Sequence, residues 1–166
     1  MAAEFQPFIG PRPFAREHQD RFFGRKRETR ELASLVIAHS IVLLYGQSGT
    51  GKTSLLNAGL IRKLEAEEGF VVLPVVRPGG KADQSGTEQT TASPYIYATL
   101  QTWSGFADSS APPADNHLAD YLASLPPECD EDGDPKPRLL IFDQLEEVFR
   151  DQIDARQEQR EFFAQI

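Results

Sequence analysis

A parallel, three-layer α/β fold is predicted by three observations. Apolar runs rich in valine and leucine occur at 41–45, 70–76 and 139–142, without the polar alternation of a half-exposed strand, so they read as strands covered on both faces. Segments of helical periodicity separate them, which is the order of a parallel sheet layered between helices. The first run, Ile41-Val42-Leu43-Leu44-Tyr45, passes directly into Gly46-Gln47-Ser48-Gly49-Thr50-Gly51-Lys52-Thr53 and then into a helical pattern. Strand, G-x-x-x-x-G-K-[ST], helix is the arrangement of a phosphate-binding loop.

Taken in order, residues 1–24 are rich in proline and phenylalanine (Phe5, Pro7, Phe8, Pro11, Pro13, Phe14) and suit an extended arm that lays aromatic rings on a core. From Arg25 to Ala38, Leu32, Leu35 and Val36 recur at helical spacing among charges, predicting an amphipathic helix before the first strand. After the loop, Leu56, Leu60, Ile61 and Leu64 repeat that period, and Gly69 stands where a helix-ending glycine is expected. The strand at 70–76 is stopped by Arg77-Pro78-Gly79-Gly80, and a polar stretch follows. Ser93-Pro94 reads as an N-cap with proline in the first turn of a helix carrying Tyr97, Leu100 and Trp103. Past a loop with Pro112 and Pro113, a short helix is expected at 118–125. The acidic turn 128–134 then leads into the strand at 139–142, which ends at Asp143. Helical pattern fills the remainder, with Val148, Phe149, Phe162 and Phe163 as expected core contacts.

The loop's residue types follow from its chemistry. Glycines let successive backbone N–H groups curl around a phosphate chain, and the helix behind them directs its positive end at the same anion. Lys52 is expected on the β and γ phosphates and the Thr53 hydroxyl on Mg²⁺, with residues 46–53 and Ser54 forming the cradle.

Bulk composition narrows the classes. The 166 residues are one domain's worth, and 40% apolar with 25% charged residues is a globular composition. Lys plus Arg number 17 against 25 Asp plus Glu; the resulting net charge of −8 argues against a broad nucleic-acid footprint. A single cysteine, Cys129, excludes an internal disulfide and lacks neighbours at metal-ligand spacing, which suits a reducing compartment. No stretch has the apolar length of a membrane span, and the first residues lack a secretory signal pattern, so a cytoplasmic protein without membrane or nucleic-acid partners is expected.

Four apolar residues running into Asp143 have the form of a Walker B strand, whose terminal carboxylate holds the Mg²⁺ shell. Hydrolysis also needs a group to orient and deprotonate water. Gln144, the next residue, can orient a water but is a poor base. Glu147 is the first candidate base and Glu146 the second, against the alternative that both are a solvated acidic first turn. Slow turnover follows. Asp130-Glu131-Asp132-Gly133-Asp134 fails as a calcium loop because its glycine comes early and Ile141 stands at the bidentate position, and His18, His39 and His117 have no partners suggested by spacing. Arg25-Lys26-Arg27 reads alone as a wet helix face.

Together, Pro7-Phe8-Ile9-Gly10-Pro11-Arg12-Pro13-Phe14, then Phe22-Phe23-Gly24-Arg25 with Glu28, the phosphate loop, and Asp143-Gln144-Leu145-Glu146-Glu147-Val148-Phe149 resemble the start of a STAND NTPase of the bacterial subgroup called novel STAND. The resemblance covers almost the whole chain. It implies a P-loop NTPase domain of the additional-strand type, with residues 1–24 as an arm and 25–166 as the domain's N-terminal part, Walker A at 46–53 and Walker B at 139–143. It implies an ATP- and ADP-responsive, Mg²⁺-dependent signalling switch joined to sensor and effector segments, assembling on activation in some members and serving antiviral defence in others. By the same resemblance Phe23, Gly24 and Arg25 would lie near adenine and ribose, although Phe22 and Phe23 serve equally as core packing.

In that class a sensor strand following Walker B in sequence lies between the Walker A and Walker B strands. The chain stops before one, so a longer protein or a completing partner chain is expected, because a missing central strand leaves backbone donors and acceptors unpaired. No arginine finger or lid segment is visible, so weak binding and poor hydrolysis are expected of this piece alone. Two other readings stand beside the switch: a P-loop phosphotransferase or GTPase, disfavoured by the lack of an [NT]-K-x-D motif, and a nucleotide-binding scaffold without turnover.

Overall fold

Helix α1 (Lys26–Ala38) forms where the spacing of Leu32, Leu35 and Val36 predicts it. The computed structural model describes residues 12–79, 93–105, 117–150 and 155–166. Pro7, Phe8, Ile9, Gly10 and Pro11 of the arm, the polar stretch 80–92 and the loop with Pro112 and Pro113 lie outside the described residues. The chain divides into two compact units, Met1–Val71 and Val72–Ile166.

In the first unit the rings at the end of the arm, expected to lie on a core, meet one another. The Phe14 ring packs on Phe22 at 5.6 Å and meets His18 edge-on at 6.3 Å, while its amide N–H donates to Ser54 Oγ at 3.1 Å. The arm is not wholly extended, however: Arg16–Arg21 is a 3-10 helical turn. Helix α1 buries Leu32 and Ala33, but Leu35 is 47% exposed, so its apolar stripe is narrower than the spacing implies. Behind the loop, α2 (Lys52–Ser54), a π-helical turn (Leu55–Leu60) and α3 (Ile61–Glu67) form the predicted helical run. The π turn widens the helix just after the loop, a distortion often found beside functional sites. It buries Leu55 and Leu60, with Ile61 and Leu64 buried behind it. Gly69 ends the run in the left-handed conformation, φ 70°, and the Phe70 N–H donates back to the Leu64 carbonyl at 3.0 Å.

The strand expected at 41–45 is not formed. These residues join no ladder among the described residues, and Ile41, Leu43 and Tyr45 are 82%, 75% and 85% exposed. Apolar composition favours burial, but a strand exists only where another edge takes up its N–H and C=O groups.

In the second unit, β1 (Val71–Val72), which begins at the boundary between units, pairs in parallel with β2 (Arg138–Leu139). The pairing continues more loosely. Leu73 N–H donates to the Leu139 carbonyl at 3.1 Å, Val76 N–H to that of Ile141 at 2.9 Å, and Asp143 N–H to that of Val76 at 2.8 Å, with a parallel bridge between Val76 and Phe142. The ladder is shorter than the apolar runs at 70–76 and 139–142 predict because its donors Leu73 and Val76 stand three residues apart, out of step with the two-residue period of a regular strand. Between them, the Pro74 carbonyl accepts from Trp103 Nε1 at 3.2 Å.

Leu73, Val76, Leu100, Trp103, Val148 and Phe162 are completely buried and form the centre of this unit's core. Helix α4 (Pro94–Ser104) starts where Ser93-Pro94 predicts, but the Ser93 hydroxyl donates to the Glu158 carbonyl at 3.0 Å and does not cap the helix. Helix α5 (Leu118–Ser124) is held at its C-terminus by Arg138, whose guanidinium donates to the carbonyls of Leu122, Leu125 and Pro126 at 2.6, 2.8 and 2.8 Å. The Tyr121 hydroxyl donates to the Trp103 carbonyl at 2.6 Å, and burial pushes that phenol above its ordinary range. The acidic turn closes on itself: the Asp130 carboxylate accepts the N–H groups of Asp132 and Asp134, as a solvated turn would. After Asp143 comes a 3-10 turn (Leu145–Phe149) and then α6 (Arg156–Phe163). Phe149, expected in the core, is 65% exposed and stacks on Phe163 at 5.3 Å. The described residues are thus α/β with a small parallel pair.

Candidate functional site

Two segments carry the candidate chemistry, one in each unit. In the first, residues 46–51 are exposed and turn through left-handed Gly49 (φ 81°) and Gly51 (φ 83°) into α2. A side chain at either glycine would be strained by the backbone conformation alone. The Lys52 ammonium donates to the carbonyls of Gly46 at 2.8 Å and Gln47 at 3.1 Å, and the Thr50 hydroxyl donates to the latter at 2.9 Å. A cation thus holds the loop's own acceptors together through charge-assisted bonds. Lys52 and Thr53 are half-buried; Ser54 is buried with its Oγ taken by the Phe14 N–H, so it serves as the anchor of the arm. Ser48 is exposed at the outer bend of the turn.

The Phe23-Gly24-Arg25 turn divides by residue. Phe22 packs on Phe14, whereas Phe23 is 77% exposed. Gly24 has φ 84°, and Arg25 reaches the loop: its guanidinium donates to the Thr50 carbonyl at 3.2 Å and to Glu28 at 3.4 Å. This bond fastens the start of α1 to the glycine loop.

In the second unit, Asp143 ends the strand pair at 4% exposure. Its Oδ2 accepts from both Nε and Nη2 of Arg77, at 3.3 and 3.2 Å. Gln144 follows in the left-handed region (φ 57°, ψ 39°), the one non-glycine residue among those described to do so. That conformation costs of order 1 kcal/mol and persists where surrounding structure over-determines it. It turns the chain into the 3-10 helix, where Glu147 N–H donates to the Gln144 carbonyl at 2.9 Å. Glu146 is exposed; Glu147 is half-buried and lies against Gly79, where an added Cβ would come within 2.3 Å of the Glu147 Cβ and 3.1 Å of its carbonyl carbon. Only glycine allows this approach.

Arg77 and Gly79 were legible only as the stop of a strand. Their signal is topological: they leave the C-terminal end of the strand paired with the one that ends in Asp143, and such ends are where open parallel sheets bind ligands.

The residues fit the groups that their pattern implies. The open glycine loop before a helix is a donor set for phosphate, and nothing lies within 4 Å of a Cβ built at Gly49 or Gly51. Asp143 already carries a cationic partner, showing that its surroundings accept positive charge. No group of three or more His, Cys, Asp or Glu suited to a metal occurs among the described residues. Mg²⁺ at phosphate-handling sites needs no such cage, using one or two protein groups with phosphates and water. A groove of about 530 Å³ in the first unit is lined by Arg16, Asn57, Arg62 and Glu65 among others, and by no residue of the loop.

Comparison with protein families places the chain among the NTPases. It belongs to the family described as Novel STAND NTPase 1, whose model matches residues 7–166. No curated protein and no solved structure matches it. No helix among the described residues is long and apolar enough to cross a membrane.

Proposed function

We propose that the chain is the ATP-binding, slowly hydrolysing switch module of a STAND signalling NTPase, and that residues 25–166 belong to a three-layer P-loop fold of the additional-strand type. The observation that carries this reading is the loop at 46–53: two left-handed glycines opening on a helix, with Lys52 already serving as its cation. Lys52, now bonded to the carbonyls of Gly46 and Gln47, would turn its ammonium to the β and γ phosphates of a bound nucleotide. Thr53 and Asp143 would hold Mg²⁺, and the ion would supply positive charge to neutralise the phosphates. Arg25, bonded to the Thr50 carbonyl, supports the loop from the α1 side. A role in bacterial defence, a cytoplasmic location and joined sensor or effector segments belong to the same proposal and rest on family membership.

For turnover, Glu147 accepts the proton of the attacking water and Gln144 orients that water. The half-buried place of Glu147 against Gly79, beside exposed Glu146, supports this choice. Expected of Glu147→Gln in single-turnover hydrolysis is a rate about 10²- to 10⁴-fold lower with ATP affinity retained, the usual scale for losing a general base. An unchanged rate removes Glu147 from the role. No turnover in the unsubstituted chain, with ATP still bound, favours a scaffold that only senses nucleotide. Titrations of ATP and GTP side by side test the base: equal affinities, or preference for GTP, count against the ATP reading.

A further inference from the structure

We propose that Arg77 is a counter-cation of the metal site, competing with the divalent ion for the Asp143 carboxylate and so setting the ion concentration at which nucleotide binds. This rests on the reading of Asp143 as the metal-side acid. Both Arg77 contacts, from Nε and Nη2, fall on one oxygen, Oδ2. The two partners differ in freedom: the Asp143 side chain is 5% exposed and fixed at the end of the strand pair, its N–H bonded to the Val76 carbonyl, while the Arg77 side chain is 46% exposed. A buried carboxylate is costly without a positive partner, and Arg77 supplies one in the protein alone. A divalent ion supplies the same neutralisation more strongly, and the arginine is the partner able to move into water. The exchange is therefore a competition of cations for one anion. It keeps Asp143 oriented without metal, and raises the Mg²⁺ level needed to load the site.

With screening between that of bulk water and that near a protein surface, the guanidinium–carboxylate attraction that the ion must displace is enough to lower its affinity by about tenfold. Removing the guanidinium charge therefore tightens metal binding. An arginine that merely orients a ligand does the opposite: loss of such an outer partner typically weakens metal affinity by about 10- to 100-fold.

The test is a Mg²⁺ titration of the purified chain at a fixed, sub-saturating concentration of a fluorescent ATP analogue. The unsubstituted chain, Arg77→Met, Arg77→Lys, Asp143→Asn and the Arg77→Met/Asp143→Asn pair are compared. Arg77→Met is expected to lower the half-saturating Mg²⁺ about tenfold, and Arg77→Lys, which keeps the charge, to stay near the unsubstituted value. The shift should vanish in the Asp143→Asn background. Should Arg77→Met not fold, Arg77→Gln removes the charge while keeping donors and carries the same expectation. An unchanged or raised half-saturating Mg²⁺ on loss of the charge overturns the proposal, as does a shift that survives Asp143→Asn. If Asp143→Asn by itself leaves the titration unaltered, the assignment of Asp143 to the metal has failed, and the competition with it.

Discussion

Lys52→Ala is expected to abolish detectable ATP binding. The ammonium has half-buried surroundings and two carbonyl acceptors, Gly46 at 2.8 Å and Gln47 at 3.1 Å, so it is positioned before any ligand arrives. Hydrogen bonds to charged groups contribute about 1.5–3 kcal/mol each; losing two on the phosphates lowers affinity by two orders of magnitude or more. Because the residue opens α2, is half-buried and lies outside the buried core, the variant should keep its circular dichroism spectrum. Calorimetric titration with Mg²⁺ and ATP checks the expectation, and affinity within threefold of the unsubstituted chain would remove the loop from the nucleotide's path. Lys52→Arg keeps the charge without the compact ammonium, and intermediate binding there would attribute the loss to charge and not to loop collapse.

Trp103→Ala is expected to produce the largest loss of stability. The ring is fully buried, stacks on Tyr121 at 6.2 Å, meets Phe142 at 6.1 Å and donates from Nε1 to the Pro74 carbonyl at 3.2 Å. Truncating a buried tryptophan costs about 3–5 kcal/mol, a lowering of the melting temperature of roughly 6–20 °C for a chain of this size. The Pro74 carbonyl also loses its donor at the point where the parallel ladder is interrupted. A melting temperature within about 3 °C of the unsubstituted chain would contradict the placement of Trp103 at the centre of the second core.

What the sequence made legible, and what it hid, divides along the range of the interactions concerned. Helix α1, the start of α4 at Ser93-Pro94 and the end of α3 at Gly69 depend on neighbours a few residues away, and each lies where its residues predict. The turn through Gly49 and Gly51 into a helix was readable for the same reason. Local cues misled where tertiary structure decides the outcome. Ser93 gives its hydroxyl to Glu158, far along the chain, and not to its own helix. The π turn at Leu55–Leu60 arises in residues that a regular helix would accept equally well. Residues 41–45 are apolar enough for a strand, yet pairing depends on an edge that no periodicity reveals. Arg77 and Gly79 read as punctuation because their partners, Asp143 and Glu147, are more than sixty residues away in sequence. Their meaning appears only when the strand pair brings the two ends together.

The central claim is that Mg²⁺ and ATP bind through the amides of the glycine loop, Lys52 and Thr53, with Asp143 on the metal. Backbone amide NMR of the chain titrated with Mg²⁺ and ATP bears on it most directly. The signals of Gly49, Gly51, Lys52 and Thr53 should shift together, and Mn²⁺ in place of Mg²⁺ should broaden those of Thr53 and Asp143. Loop signals that stay fixed while others move, or an Asp143 signal untouched by Mn²⁺, would contradict the account.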